Sequence, residues 1–335
     1  MSRILITGGV GFVGSHLARA CLRGRHEVHL IVRPGSGEER LEDFREHVFV
    51  HHFDLHSETE LRHCMKDVAP AIVFHLAASP RRPPYPHLAD ARESLRSELD
   101  YLISLLAIAA ESRCPPARFI RAGSLAEYGS IKAPYREDMR EAPASAYGAS
   151  LVAATHYVAA LQSRLPFPVA TARLALIYGP SQSTDYLLPS LITRCLAGEM
   201  SVLRRPSDRR DLIFVDDAVA ALLRMASATL APAAVLNVCT GFSPTMQDVA
   251  QLVLDQTGAD PALIEYGAGN PPTGATHLCG SPELAQRLID WRARTMLADG
   301  IGQTVRWCRK RLPATISLEV AAKVGFPQNQ ALGLV

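Results

Sequence analysis

Short apolar runs alternate with longer stretches of helical spacing over the first half of the chain. The runs predict buried strands at residues 3–7, 28–32, 48–53, 71–75, 118–121 and 169–174. Between them, apolar residues recur at helical spacing, most clearly over residues 12–23, 88–112 and 145–164. Because this alternation is typical of βαβ units, the pattern predicts an α/β fold with a doubly wound parallel sheet.

The alternation ends near residue 175, and the rest of the chain is irregular and richer in proline, serine and arginine. This change predicts a smaller C-terminal substrate lobe. Strand-like runs at 212–215 and 235–238 predict a return of the chain to the main domain. The predicted division is 1–174 with about 212–240 for the dinucleotide-binding domain, about 175–211 with 241–310 for the lobe, and 311–335 for a tail.

Composition and charge exclude several classes of protein. With 335 residues, of which 48% are hydrophobic and 20% charged, the chain is typical of a globular protein. A formal net charge of +2 gives no indication of a nucleic-acid or membrane partner. Seven scattered cysteines without a C-x-x-C pair favour reduced thiols and no metal site. We therefore expect a cytoplasmic protein without a signal peptide that acts on a small molecule.

A glycine-rich turn joins the first predicted strand to the first predicted helix. Gly8, Gly11 and Gly14 are spaced three residues apart. Such glycines permit a tight turn, close approach of the backbone to a pyrophosphate, and close packing of helix on strand. Together with Phe12 and Val13 at the start of the helix, they predict a Rossmann-type dinucleotide site in which the helix N-terminus faces the phosphates.

The ends of the next strands predict which dinucleotide binds. An acidic residue after the second strand typically binds the ribose hydroxyl, whereas this chain has Arg33, which suits a 2′-phosphate. The sequence therefore favours NADP, with NAD as the alternative. Asp54 is placed to accept a hydrogen bond from the adenine amine. The remaining predicted cofactor contacts follow the third and fourth strands and are Leu55, Leu76, Ala77 and Ala78.

Further motifs follow in a fixed order, at residues 123–129 (GSLAEYG), 147–150 (YGAS), 178–180 (YGP) and 210–217 (RDLIFVDD). With the glycine turn, Asp54 and residues 75–78, they resemble the extended short-chain dehydrogenase/reductase family of the NAD-dependent epimerase/dehydratase type, up to about residue 310. The resemblance implies an NAD(P)-dependent oxidoreductase in which Ser124 and Tyr147 are catalytic and Tyr147 also contacts the cofactor. It also implies a homodimer formed through the helices at 88–112 and 145–164.

One position departs from the family pattern Tyr-x-x-x-Lys, because Leu151 stands where the lysine belongs. An ammonium group about 4 Å from the phenol would be worth ~4 kcal/mol at an effective dielectric constant of about 20. Without it, we expect Tyr147 to stay protonated at neutral pH, as a good proton donor and a poor base. His156 lies on the opposite helix face and cannot substitute, whereas Lys132 lies in a predicted loop and is left open.

The motifs also bear on the reaction and the substrate. The resembling dehydratases carry an Asp-Glu pair after the catalytic Ser/Thr, and this chain has Leu125-Ala126, which disfavours elimination. Glu127 makes the motif similar to that of 4-keto-6-deoxy-sugar reductases, and we expect it to bind substrate. Arg210 matches the family arginine that binds the sugar-nucleotide diphosphate by a bidentate contact. Departures at Leu176 and near Gly267 leave the diphosphate site in question.

Four functions follow from these features. The first is an NADPH-dependent ketoreductase of a nucleotide-linked 4-keto-6-deoxy sugar, with Tyr147 as the proton donor and Ser124 orienting the carbonyl. The second is a nucleotide-sugar epimerase that retains its cofactor. The third is a ketoreductase of a natural-product substrate without a nucleotide. The fourth is an NADP(H)-binding protein without catalysis.

Overall fold

The structure is a computed structural model that describes residues 1–78, 88–267 and 276–311. Its strands, in chain order, are β1 (Arg3–Thr7), β2 (Glu27–Val32), β3 (Phe49–His52), β4 (Ile72–His75), β5 (Arg118–Ser124), β6 (Val169–Leu174), β7 (Leu176–Tyr178), β8 (Ser201–Leu203), β9 (Arg209–Arg210), β10 (Leu212–Phe214), β11 (Val235–Val238), β12 (Ile264–Tyr266) and β13 (His277–Leu278). Seven of them form one parallel sheet in the order β11-β6-β5-β4-β1-β2-β3. The predicted doubly wound α/β fold is thus confirmed.

The helices are α1 (Phe12–Arg23), α2 (Glu58–Val68), α3 (Ala89–Leu95), α4 (Tyr101–Glu111), α5 (Ala146–Leu161), α6 (Leu187–Ala197), α7 (Val215–Ser227), α8 (Met246–Thr257), α9 (Glu283–Ile289) and α10 (Leu297–Arg311). Short 3-10 turns occur at Glu39–Leu41, Arg45–His47, Leu125–Glu127, Gln162–Arg164 and Pro261–Leu263. A π-helical stretch, Arg96–Asp100, joins α3 to α4. The three stretches follow one another without a gap, so the helix predicted at 88–112 is continuous. No helix of the described segments has both the length and the apolar character needed to cross a membrane.

Apolar side chains on both faces of the sheet explain why its strands are nearly continuous hydrophobic runs. Along β1, Ile4 and Ile6 face the core shared with α1 and α7, while Leu5 faces the core shared with α2, α4 and α5. Alternate residues of a strand point to opposite faces, so both cores depend on a helical cover. Phe119 of β5 belongs to the second core, which places Arg121, two residues later, on the face that α4 and α5 cover.

The C-terminal part of the chain has a third hydrophobic core, built mainly from α6, α8 and α10. Of the two strand-like runs predicted to rejoin the main sheet, Val235–Val238 does so and pairs with β6. Leu212–Phe214 pairs instead with β7 in a separate two-stranded sheet. The proposed division into domains stays a prediction, and residues 312–335, nearly all of the predicted tail, lie outside the described residues.

Candidate active site

The glycine turn follows β1, where the order of strands in the sheet reverses, because β2 lies on one side of β1 and β4 on the other. Gly8 has a φ of +72°, a conformation that favours glycine. A Cβ atom at Gly14 would lie 2.2 Å from the carbonyl oxygen of Gly8, so only glycine lets α1 approach the turn this closely. Ligands of open α/β sheets bind at such a switch point, beyond the carboxyl ends of the strands.

The beginning of α1 is free to receive an anion. Its N-cap, Gly11, has no side chain to cap the helix, and the first turn contains no acidic residue. Phe12 and Val13 begin the helix, whose first N–H groups have no partner within it. Backbone N–H groups and the helix dipole therefore both favour a pyrophosphate here, and the residues fit a dinucleotide.

The predicted ribose and adenine contacts lie at the ends of β2 and β3. Arg33 is exposed directly after β2. Asp54 accepts hydrogen bonds through Oδ1 from the Tyr101 hydroxyl at 3.2 Å and from the His56 N–H at 2.9 Å. Leu55 is buried in the second core.

A second arginine of this region was not assigned a role from the sequence. The Arg40 Nε donates to the carbonyl oxygen of Ser181 at 2.9 Å, and its Nη1 to that of Val10 at 3.4 Å. This side chain therefore ties the segment after β2 to the glycine turn. The signal was present in the sequence as a second basic residue after the β2 strand, but its partners lie far away along the chain.

A row of polar residues crosses the sheet behind the glycine turn. Thr7, His75, Arg121 and Thr171 are neighbours in the strand register of β1, β4, β5 and β6. Thr7 Oγ1 accepts from the Ala77 N–H at 3.2 Å and lies 2.8 Å from His75 Nδ1. Burial, reinforced by the charge of Arg121, lowers the pKa of His75 to about 3, so its ring is neutral.

The segment after β4 runs along the same crevice. The Leu76 N–H donates to the carbonyl oxygen of Thr7 at 3.2 Å, which continues the β1 ladder by one residue. A Cβ atom at Gly8 would lie 2.9 Å from the Ala77 nitrogen, so the two backbones are in close contact. Ala78 is exposed. Of the predicted contacts, Leu76 and Ala77 thus lie beside the glycine turn, and Ala78 follows them in the chain.

Ser124 and Tyr147 are held on two elements that pack together. Ser124 ends β5, and its Oγ accepts from the Ala126 N–H at 3.1 Å. Tyr147 is the second residue of α5, which begins after the N-cap Ser145. A Cβ atom at Gly148 would lie 2.7 Å from the Ala126 carbonyl oxygen, so the first turn of α5 lies directly against the turn that follows Ser124.

The Tyr147 phenol is surrounded by charge of both signs. Its pKa is raised above the usual value, first by burial and then by the carboxylates of Glu98 and Glu127, with a smaller contribution from Tyr186. The charge of Arg121 opposes this shift. The expectation that Tyr147 is protonated at neutral pH therefore agrees with its surroundings, which add a desolvation effect that the sequence did not reveal.

Glu127, which the motif suggested as a substrate-binding residue, is buried among protein groups, and its contact with substrate stays a prediction. Its side chain is 0% exposed. The carboxylate accepts from the Ser124 N–H at 3.1 Å, the Thr155 hydroxyl at 2.8 Å and the Arg173 Nε at 2.9 Å. Its role is to brace Ser124, because one carboxylate joins β5, α5 and β6.

Arg210 is also buried rather than open to solvent. Its Nη2 donates to the Asp208 carboxylate at 2.8 Å, and its Nη1 donates to the carbonyl oxygen of Thr276 at 3.0 Å. The predicted contact with a diphosphate would require Arg210 to exchange Asp208 for the phosphate. In this structure both terminal nitrogens of the guanidinium donate to protein groups, and the assignment of Arg210 to a diphosphate stays a prediction.

Neither Lys132 nor His156 contacts Tyr147 in the described segments. The Leu151 side chain is buried, Lys132 is exposed on its loop, and His156 is exposed and pairs with Glu141. The charge near Leu151 comes instead from Arg121, whose Nη2 donates to the Leu151 carbonyl oxygen at 3.1 Å. Sequence reasoning missed this arginine, although a charged residue within an apolar strand is itself a signal.

The comparisons with known proteins agree with this geometry. The model of the NAD dependent epimerase/dehydratase family matches residues 4–239. The chain belongs to this family. It is therefore an NAD(P)-dependent oxidoreductase of the extended short-chain dehydrogenase/reductase type, as the motifs predicted.

Relatives in the family match over most of their length. The chain is 27% identical to UDP-glucose 4-epimerase of Mycolicibacterium smegmatis over 332 residues, which cover 92% of this chain and 99% of the relative. It is 25% identical to the probable dTDP-glucose 4,6-dehydratase of Sinorhizobium fredii, covering 91% and 92%. Among solved structures, MoeE5 in complex with UDP-glucuronic acid and NAD superposes with a TM-score of 0.80 at 28% identity, covering 92% and 99%.

Proposed function

We propose that this family member is a ketoreductase that reduces a nucleotide-linked keto sugar with NADPH. The observation that carries the proposal is the buried Leu151 in place of a lysine, together with a Tyr147 whose pKa is raised. Such a phenol holds its proton at neutral pH and can donate it, but it is poorly suited to remove a proton from an alcohol. This asymmetry favours reduction over a reaction that must begin with oxidation.

Each side chain of the site has a separate role in the proposed reduction. When bound, a nicotinamide dinucleotide supplies the hydride that adds to the carbonyl carbon. The Tyr147 hydroxyl donates its proton to the oxygen as negative charge develops there. The Ser124 Oγ accepts from the Ala126 N–H, so its own hydrogen is directed elsewhere and can bond the same carbonyl oxygen. The buried carboxylate of Glu127 keeps Ser124 in place.

The substrate class rests on the relatives. Curated relatives are named UDP-glucose 4-epimerase and dTDP-glucose 4,6-dehydratase, which supports a nucleotide-linked sugar. Within that class, a 4-keto-6-deoxy sugar is the first substrate to test. Burial of Glu127 removes one of its supports, so a keto sugar of another kind or a natural-product ketone is the next to test. Arg210 remains the candidate for the diphosphate, provided that Asp208 releases it.

The choice of cofactor is part of the proposal. An exposed arginine after β2, with no acidic residue at that position, supports NADPH over NADH. The same family resemblance supports a cytoplasmic location and a homodimer through the helices at residues 88–112 and 145–164. Exposed apolar side chains on the helices of this face, Leu95 and Tyr157, support the dimer contact. Light scattering of the purified protein would test it.

A nucleotide-sugar epimerase is the second candidate. It is favoured by the match to the Mycolicibacterium smegmatis epimerase over nearly the full length of both chains. Retention of Ser124 and Tyr147 is compatible with this reaction. Because an epimerase returns the hydride to the sugar, it would interconvert two sugars without net consumption of the dinucleotide.

In the decisive experiment, the protein is mixed with NADPH or NADH and a nucleotide-linked keto sugar. The absorbance of the reduced nicotinamide is followed over time, and the sugars are analysed by chromatography. Consumption of NADPH, lost in Tyr147→Phe and kept in the control Tyr157→Phe on the exposed face of the same helix, would support the ketoreductase. Interconversion of sugars without consumption would establish the epimerase instead. Cofactor binding without turnover of any sugar or scaffold ketone would move the proposal to a binding protein.

A further inference from the structure

Arg121 is a buried cation next to the catalytic helix. Its side chain is 1% exposed, and Phe119, on the same side of β5, packs in the core beneath α4 and α5. The guanidinium Nη1 donates to Thr155 Oγ1 at 2.9 Å, and Nη2 donates to the Leu151 carbonyl oxygen at 3.1 Å. Leu151 and Thr155 lie one and two turns after Tyr147, so the guanidinium lies along the helix face that carries the phenol.

The two hydrogen-bond acceptors of Arg121 among the described residues are uncharged. No carboxylate within the described segments lies at ion-pair distance from this guanidinium. Burying a charge without a direct counterion costs free energy, so a core position of this kind calls for a reason other than stability. The charged and ionisable groups that influence it are the carboxylates of Glu127 and Glu98, the phenol of Tyr147 and the guanidinium of Arg173.

We infer that Arg121 supplies to Tyr147 part of the positive charge that a lysine at position 151 would otherwise supply. Burial and the carboxylates of Glu98 and Glu127 outweigh this charge, so the phenol still holds its proton at neutral pH. The inference rests on the proposed role of Tyr147 as the proton donor. After donation the phenol becomes a phenolate, and a nearby cation stabilises this charged form. Arg121 is a positioning residue in this respect, because it acts through Tyr147 and contacts the backbone of α5 where the lysine would begin.

Several groups face Tyr147 and together determine its titration. They are Arg121 on β5, Glu98 in the π-helical stretch, Glu127 after β5 and Tyr186 before α6, while His75 on β4 faces Arg121 and stays neutral. Arg121 favours the phenolate, and the two carboxylates oppose it. The opposite signs make the inference testable, since general damage to the fold would shift the titration in one direction for every variant.

The test observes the phenol directly and needs no substrate. The full chain is produced with difluorotyrosine, whose phenol is intrinsically more acidic, and is saturated with oxidised cofactor. Its nine tyrosines give fluorine resonances, and that of Tyr147 is the one absent from Tyr147→Phe. We expect Arg121→Met to raise the titration midpoint of this resonance by about one pH unit, the scale of one charge at several ångströms.

Matched variants separate charge from structure. Arg121→Lys keeps the charge, and we expect a midpoint near that of the wild type. Thr155→Val removes one hydrogen bond of Arg121 and one of Glu127 but neither charge, so we expect little shift. Glu98→Gln removes an opposing charge and should lower the midpoint. In Arg121→Met, the further change Leu151→Lys should return the midpoint towards the wild-type value.

The outcomes separate the inference from the proposed function. An unshifted midpoint in Arg121→Met, or an equal shift in Thr155→Val, would overturn the inference whether or not any ketone is reduced. A shift with the predicted signs in a protein that reduces no ketone would support the inference and count against the ketoreductase alone. If a ketone is reduced, the alkaline decline of kcat should move upward in pH for Arg121→Met and stay in place for Arg121→Lys.

Discussion

Arg121 and Arg173 lie on neighbouring strands, both are 1% exposed, and their surroundings differ in the charge of their partners. Arg173 makes ion pairs with the carboxylates of Glu127 and Glu141, and its guanidinium carbon lies 4.5 Å from the centre of the Tyr128 ring. Among the described residues, Arg121 donates to a hydroxyl and a backbone carbonyl and to no carboxylate. Two carboxylate counterions account for the burial of Arg173. Arg121 has no such counterion among the described residues, so its burial is better explained by its effect on Tyr147.

The Thr155 hydroxyl connects the surroundings of the two arginines. Thr155 Oγ1 accepts from Arg121 and donates to Glu127, which also accepts from Arg173. One buried network therefore contains two parts with different roles. In one part, Arg173 and Glu127 hold the Ser124 backbone in place. In the other, Arg121 lies against the helix that carries Tyr147.

The largest effect should come from Arg173→Met. Removal of this guanidinium leaves the buried Glu127 without its counterion, and breaking a buried pair in this way costs about 3–5 kcal/mol. We expect the free energy of unfolding in urea to fall by that amount. A loss no greater than that of Arg121→Met would break the comparison, since both arginines would then be equally dispensable to the fold.

The next effect concerns pH and the neutral ring of His75. Its pKa is lowered from 6.5 to about 3 by burial first and by the Arg121 charge second. Because the pKa of His75 in the folded state is below that in the unfolded state, its contribution to the free energy of unfolding is fully present above about pH 6.5. This contribution falls as the pH decreases towards about 3. The slope approaches about 1.4 kcal/mol per pH unit. Urea unfolding between pH 6.5 and 4.5 should show this slope and lose much of it in His75→Asn; an equal slope in both proteins would contradict the prediction.

Arg33 extends the comparison to an exposed arginine whose partner would be a ligand. If it binds the 2′-phosphate, Arg33→Asp should weaken NADPH binding by roughly 10- to 100-fold, the value of a charge-assisted hydrogen bond of about 1.5–3 kcal/mol. NADH binding should change little. Calorimetric titration of both cofactors checks this, with Arg25→Asp, another exposed arginine of the same domain, as the control. Equal losses for both cofactors would indicate a general electrostatic effect.

The smallest effect should be the change in stability of Arg121→Met. The variant loses two hydrogen bonds to neutral acceptors but also relieves the burial of an unpaired charge. We therefore expect the free energy of unfolding to change by at most about 1 kcal/mol, measured in urea beside Arg173→Met. A loss of unfolding free energy comparable with that of Arg173→Met would mean that Arg121 is mainly structural and that the two arginines do not differ in role.

Much of the fold and part of the site were predictable from the sequence. The strand and helix positions agree closely, and β5 is longer than predicted, because its polar end, through Ser124, lacks the apolar run that marks a strand. Glu127 was expected to bind substrate because its motif was similar to that of certain reductases. Its burial could not be predicted, because its partner Arg173 lies 46 residues further along the chain.

The sequence by itself determined the order of strands and helices, the glycine turn and the absence of a lysine at position 151. These properties depend on local spacing and on which residue occupies a position, and both are visible along the chain. Only the tertiary structure decided which charges lie beside Tyr147. Arg121 reaches α5 across 30 residues of sequence, and burial, which sets the pKa of the phenol, exists only once the helices cover the sheet.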